Sequence, residues 1–194
     1  MIQVIYAHPY PSRSRASRAL VEAVRTLPDV RVRPLYDLYP DFDIHVPAEH
    51  EALREADLMV LLSPIYWFSV PGLLKHWFDK VLVRGWAHGN GGVALHGKHC
   101  LLACVAGGDE FSQMPECTFE QAQATVVAPV EETLRYCGMH WETPLVVAGA
   151  HLIGDAELAA QAQEFRERLV QWSVAHPSDG PDQNSKAENE GKVQ

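Results

Sequence analysis

The chain has 194 residues, 47% of them hydrophobic, enough for one domain with its own two-sided core. Its net charge is −9 and its basic residues are scattered, which disfavours a nucleic-acid partner and direct docking on an anionic lipid surface. No apolar run approaches a membrane span, no signal-peptide pattern opens the chain, and Cys100, Cys104, Cys117 and Cys137 form no C-x-x-C pair; the expectation is free thiols in a reducing cytoplasm, with no direct membrane insertion.

Residues 2–7 read as a first strand that begins almost at the N-terminus. The next segment, His8-Pro9-Tyr10-Pro11-Ser12-Arg13-Ser14-Arg15-Ala16-Ser17, is a loop leading into a helix whose apolar face is Ala16, Leu20, Val24 and Leu27. Ser14 suits the N-cap. Free amides and a positive dipole end make such a helix start a phosphate site, with the Ser14 and Ser17 hydroxyls and the Arg15 cation as further donors. From the residues alone, the segment reads equally as a capped helix start with no ligand.

Residues 30–36 alternate and form a second strand, placed near an edge because Pro34 lacks a donor. A turn-rich loop (37–43) and a short acidic helix (47–56) follow. Residues 57–62 open on Asp57 and continue as an unbroken apolar run, as expected of a central parallel strand buried on both faces. Leu73, Leu74, Trp77, Phe78, Val81 and Leu82 recur with helical spacing, with Ser69 as the expected cap and Pro71 in the first turn. Between that strand and that helix, Tyr66, Trp67 and Phe68 form a loop more aromatic than a solvated turn requires. They either pack the top of the sheet or wall a flat aromatic ligand, since such loops line the crevice of an open α/β sheet.

Gly89-x-Gly91-x-x-Ala94 imitates a dinucleotide fingerprint, but it follows a helix where the fingerprint follows a strand. A glycine-rich turn near the site, with Trp86 as a wall, is the better reading. Residues 99–105 form the fourth strand, with Cys100 and Cys104 on one face. Their spacing with His96 and His99 fits no standard zinc pattern, so no metal is expected. The strand ends at Ala106-Gly107-Gly108, where glycine permits close backbone approach to a ligand. Thr118-x-x-Gln121 is a capping box for a helix that Pro129 should kink or restart, and Gly138 should end it. Residues 140–147 give the fifth strand. Asp155 is the expected cap of a last helix with Leu158, Ala162, Phe165, Leu169 and Trp172 on one face. The organisation expected is one domain over 1–175 and a disordered polar tail over 176–194. Strands alternating with helices imply a doubly wound parallel sheet of five strands, and 2-1-3-4-5 is the natural order.

The run Ser63-Pro64-Ile65-Tyr66-Trp67-Phe68-Ser69-Val70-Pro71-Gly72-Leu73-Leu74-Lys75-His76-Trp77-Phe78-Asp79-Lys80-Val81 resembles the flavin loop and helix of the flavodoxin-like NAD(P)H:quinone oxidoreductases. The closest likeness is to the ancillary quinone oxidoreductases of glutathione-regulated potassium-efflux systems, and it extends from Met1 to about Trp172. The resemblance implies bound FMN ahead of FAD, NADH or NADPH as co-substrate, a quinone substrate, a homodimer and a potassium-efflux antiporter as partner. It places the flavin phosphate at His8, Ser14, Arg15, Ala16 and Ser17, where relatives often carry Asn at position 17. The ring falls between Ile65, Tyr66, Trp67 and Phe68 on one side and Val105, Ala106, Gly107 and Gly108 on the other. Relatives often have a proton-handling Tyr or His beyond the second loop. No residue here aligns with it, so the chemistry is left to the flavin. The rival expectation is a flavin-containing regulatory subunit that binds the antiporter without turnover.

Overall fold

The computed structural model describes residues 1–107 and 119–177. Strands β1 (Ile2–Tyr6), β2 (Val30–Pro34), β3 (Leu58–Pro64), β4 (His99–Val105), β5 (His140–Trp141) and β6 (Leu145–Val147) form one sheet. Its order is β2-β1-β3-β4-β5, with β6 also paired to β4, and every pairing is parallel. The expected 2-1-3-4-5 sheet is therefore present. Its fifth position is filled by two short strands on β4, separated by Glu142, Thr143 and Pro144. Pro144 has no amide to give to the ladder, so one continuous strand over 140–147 would leave a missing bond at that position.

Helices cover both faces. On one side lie α1 (Arg15–Val24) and α6 (Asp155–Ala175). On the other lie α3 (Val46–Glu55), α4 (Gly72–Val81) and α5 (Phe119–Tyr136). Alternation along the central strands explains the two cores. Leu58, Val60 and Leu62 of β3 pack with Leu20, Val24, Phe165 and Leu169, whereas Met59 and Leu61 pack with Leu73, Trp77 and Leu134. All seven residues of β3 are buried, as two-sided coverage of a parallel sheet requires. Cys100 and Cys104 sit in the second core, where burial pushes both thiols up to about 12. Among the described residues, no helix is long and apolar enough to cross a membrane.

Several local expectations change. Tyr36 leaves the strand for a short helix, α2 (Leu35–Leu38), which begins right after the edge proline. The N-cap of α4 is Pro71, with no side-chain cap, because Ser69 is held in a tight turn with Tyr66. Gly154, not Asp155, is the N-cap of α6, and no side chain caps it. Helix α5 runs through Pro129 without a restart, and Thr133 Oγ1 donates to the Pro129 carbonyl at 2.7 Å. Gly138 ends it as expected, at φ +79°, where an added Cβ would lie 2.3 Å from His96 Cδ2. Thr118 of the expected capping box, Cys117, and the tail from residue 178 lie outside the described residues.

One buried carboxylate ties four segments together. Glu49 on α3 is fully buried. It accepts from the Arg33 guanidinium on β2, from Tyr39 Oη after α2, and from Trp77 Nε1 on α4 at 3.0 Å. These donors occupy the lone pairs of the buried carboxylate, so it avoids the desolvation cost that an unpartnered one would carry.

Candidate functional site

The carboxyl ends of β1, β3, β4 and β6 meet at one edge of the sheet and enclose a cleft of about 380 Å³. Parallel pairing makes this unavoidable: every strand delivers its following loop to the same edge. Of the residues expected to form the site, His8, Ser14, Arg15, Ala16, Ile65, Tyr66, Val105 and Gly107 line the cleft. Ser17, Trp67, Phe68 and Ala106 are not on its wall. Gly108 lies outside the described residues.

The β1 end is built for an anion. Ser14 is the N-cap of α1, its hydroxyl accepting from the Ser17 amide at 3.2 Å, as the sequence indicates. The Ser17 side chain is fully buried, and its Oγ has no partner among the described residues. His8 is also buried, and burial lowers its pKa below the ordinary value. Its Nδ1 accepts the Tyr10 amide at 3.0 Å, so the neutral ring carries its proton on Nε2 as a donor. Free helix amides, a cap hydroxyl and a neutral imidazole N–H make a donor-rich start to the cleft.

Arg15 departs from expectation. It lines the cleft, but its guanidinium is engaged elsewhere: Nη1 donates to Asp155 Oδ1 at 2.6 Å and Nη2 to the Ile153 carbonyl. The cation therefore bridges α1 to the start of α6.

The aromatic loop is a turn of unusual geometry. Tyr66 and Ser69 exchange backbone hydrogen bonds of 2.9 and 3.0 Å, and the residues between them, Trp67 (φ +51°) and Phe68 (φ +57°), are both left-handed. A bulky residue there costs roughly 1–3 kcal/mol, and such strain gathers at functional positions. The turn points Tyr66 toward the cleft, 6.3 Å edge-on to His8, and leaves Trp67 94% exposed. Burial raises the Tyr66 phenol, which therefore stays protonated at neutral pH. Trp86 is not a wall of this cleft. It stacks on His50 of α3 at 3.5 Å, on the second core. The Gly89–Gly91 stretch is a turn after α4, with both glycines at positive φ.

Tyr10, Arg13, Pro64, Ala150 and His151 also line the cleft, and the sequence did not single them out. Ala150 and His151 follow β6 and are fastened to the β4 loop, their amides donating to Ala106 O (2.9 Å) and Gly107 O (2.7 Å). The signal that would have found them is positional: a loop after any strand of such a sheet belongs to the crevice.

Comparison with known proteins agrees with this geometry. Residues 1–172 match the family described as having a flavodoxin-like fold. A chain from the crystal structure of a thermophilic tryptophan halogenase from Streptomycin violaceusniger is 34% identical, aligned over 87% of this chain and 98% of its own, with a TM-score of 0.81. General stress protein 14 of Treponema denticola, crystallised with FMN, is 32% identical over 90% and 98%, with a TM-score of 0.76. An NADPH-quinone reductase from P. pentosaceus, 24% identical over 87% and 96% with a TM-score of 0.75, shares the fold. These names describe unlike chemistries, so the three agree on architecture rather than on one activity.

Proposed function

We propose, for a chain that belongs to the flavodoxin-like fold family, that it is an FMN-dependent oxidoreductase passing two electrons from NADH or NADPH to quinones. The observation that carries this reading is the cleft itself, with a donor-rich helix start at one end and two strand-end loops, presenting Ile65 and Tyr66 and Val105 and Gly107, at the other. The residues fit the cofactor: among the described residues, Ser17 Oγ is a buried hydroxyl without a partner, and nothing accepts from the His8 Nε2 donor. The α1 amides, Ser14, Ser17 and His8 would hold the phosphate. Tyr66 and the backbone at Gly107 would flank the ring and orient it. FMN, when bound, supplies the hydride chemistry. The exposed side of the ring site is then open to nicotinamide and quinone in turn, which gives ping-pong kinetics. The FMN complex of the Treponema denticola relative and the quinone-reductase name of the P. pentosaceus one support the same reading.

Two finer assignments belong to it. The first is a homodimer that covers the strained turn, supported by Tyr66, Trp67 and Phe68, which are 38%, 94% and 42% exposed side by side. The second is a cytoplasmic enzyme serving as ancillary subunit of a glutathione-regulated potassium-efflux antiporter, supported by the likeness of residues 63–81 to those proteins. The test begins with the absorbance spectrum of the purified protein and the mass of any extracted flavin. About one FMN per chain is expected, with NAD(P)H oxidation that depends on added benzoquinone. A colourless protein that FMN does not reconstitute defeats the enzyme reading. Bound FMN without quinone-dependent oxidation favours the regulatory subunit. Light scattering and antiporter co-purification test the finer assignments.

A further inference from the structure

Resting on the FMN reading, we propose that Arg15 is a positioning residue: it does not bind the phosphate but struts the loop after β6 against the start of α1. That loop, residues 148–154, contributes Ala150 and His151 to the cleft. It is fastened on one side by backbone bonds to Ala106 and Gly107 of the β4 loop. On the other side, Arg15 donates to Asp155 Oδ1 and to the Ile153 carbonyl. Among the described residues, no other side-chain hydrogen bond joins the β1–α1 segment to this loop. The strut thus closes a ring of contacts from the helix start, through the β6 loop, to the strand-end backbone at Gly107.

The two donors of one guanidinium explain why arginine serves here. Its planar fork engages a carboxylate and a carbonyl at once, which a lysine ammonium does with less geometric definition. The Asp155 side chain is 93% exposed, so the ion pair alone contributes little stability. Its effect is positional. At the far end of the same helix pair, Arg166 of α6 donates to the Ala23 carbonyl at 2.6 Å and to Thr26 Oγ1. The α1–α6 pair is therefore pinned at both ends, and the pin next to the cleft sets where His151 and Ala150 stand.

FMN and riboflavin, which differ by the phosphate, separate the two roles. A phosphate ligand contributes to FMN binding alone. A strut shapes the cleft for both. For Arg15→Ala, affinity measured by quenching of flavin fluorescence should fall for FMN and riboflavin by the same factor, about three- to tenfold for one charge-assisted contact. Asp155→Ala should move both in the same direction, and the double variant should be little worse than Arg15→Ala. Hydrogen exchange of the flavin-free protein reads the strut directly: amides 149–155 should lose protection in Arg15→Ala and regain only part of it in Arg15→Lys, whose ammonium lacks the planar fork. A collapse of FMN affinity with riboflavin unchanged overturns the proposal, as does unaltered loop protection in Arg15→Ala. If neither flavin binds the wild type, the FMN reading fails, and hydrogen exchange alone still decides the strut.

Discussion

The backbone amide of Tyr10 donates to Nδ1 of His8 at 3.0 Å, which fixes a neutral imidazole with its remaining proton on Nε2. Protonating Nδ1 would set a second N–H against that amide. Burial already holds the pKa below its ordinary value of about 6.5. Below that value the unfolded chain binds a proton that the folded chain refuses. Stability is therefore lost as pH falls from about 6.5 towards the folded pKa, and no further loss from this group follows below it. In urea unfolding of the flavin-free protein, His8→Gln should flatten this part of the pH dependence, so the wild type loses more stability than the variant between pH 7.5 and 5.5. Equal losses would mean that His8 is freely protonated in the fold.

The left-handed pair at the aromatic turn predicts an unusual gain. Trp67 stands at φ +51° and is 94% exposed, so replacing it removes strain and little packing. Trp67→Gly should stabilise the flavin-free protein by about 0.5–1 kcal/mol in urea, because glycine adopts that φ freely. The same change should reduce quinone turnover if the indole covers the bound ring. A destabilised variant would show that the indole makes a contact in solution that outweighs the backbone cost.

Removing the Glu49 carboxylate should be among the most damaging changes in the chain. Glu49→Ala strands the Arg33 guanidinium, the Tyr39 hydroxyl and the Trp77 indole N–H together. A loss of about 3–5 kcal/mol is expected, as for breaking one side of a buried pair. Arg33→Ala should cost about as much, and the double variant clearly less than the sum. Calorimetric or urea unfolding of the three variants checks this, and additive losses would dissolve the network.

The last helix sets where the chain can be cut. His176 stacks on Trp172 at 4.4 Å and 15°, and its amide bonds to the Trp172 carbonyl. Residues 178–194 are polar in sequence and lack any apolar pattern. Deleting 178–194 should leave the unfolding midpoint unchanged, whereas deleting 176–194 should cost about 0.5–1.5 kcal/mol, the scale of one aromatic pair. Equal stabilities would show that the stack contributes nothing.

What the sequence determined by itself were features that act over a few residues. Apolar runs of strand length marked β1, β3 and β4. The Ser14 cap and the Gly138 stop were readable because capping and left-handed backbone are local chemistry. The alternation of strands and helices then restricted the sheet to very few orders, and the observed one was among them. The tertiary structure decided what depends on partners far along the chain. Arg15 reads as a phosphate ligand from its neighbours, yet its carboxylate lies 140 residues away. Trp86 reads as a wall of the site, but the packing of α3 gives it His50 to stack on. Ala150 and His151 join the cleft because β6 pairs with β4 and not because of their own neighbours in sequence. Periodicity and capping cannot encode such pairings: which side chains meet is settled only once parallel strands have brought their carboxyl ends to a common edge.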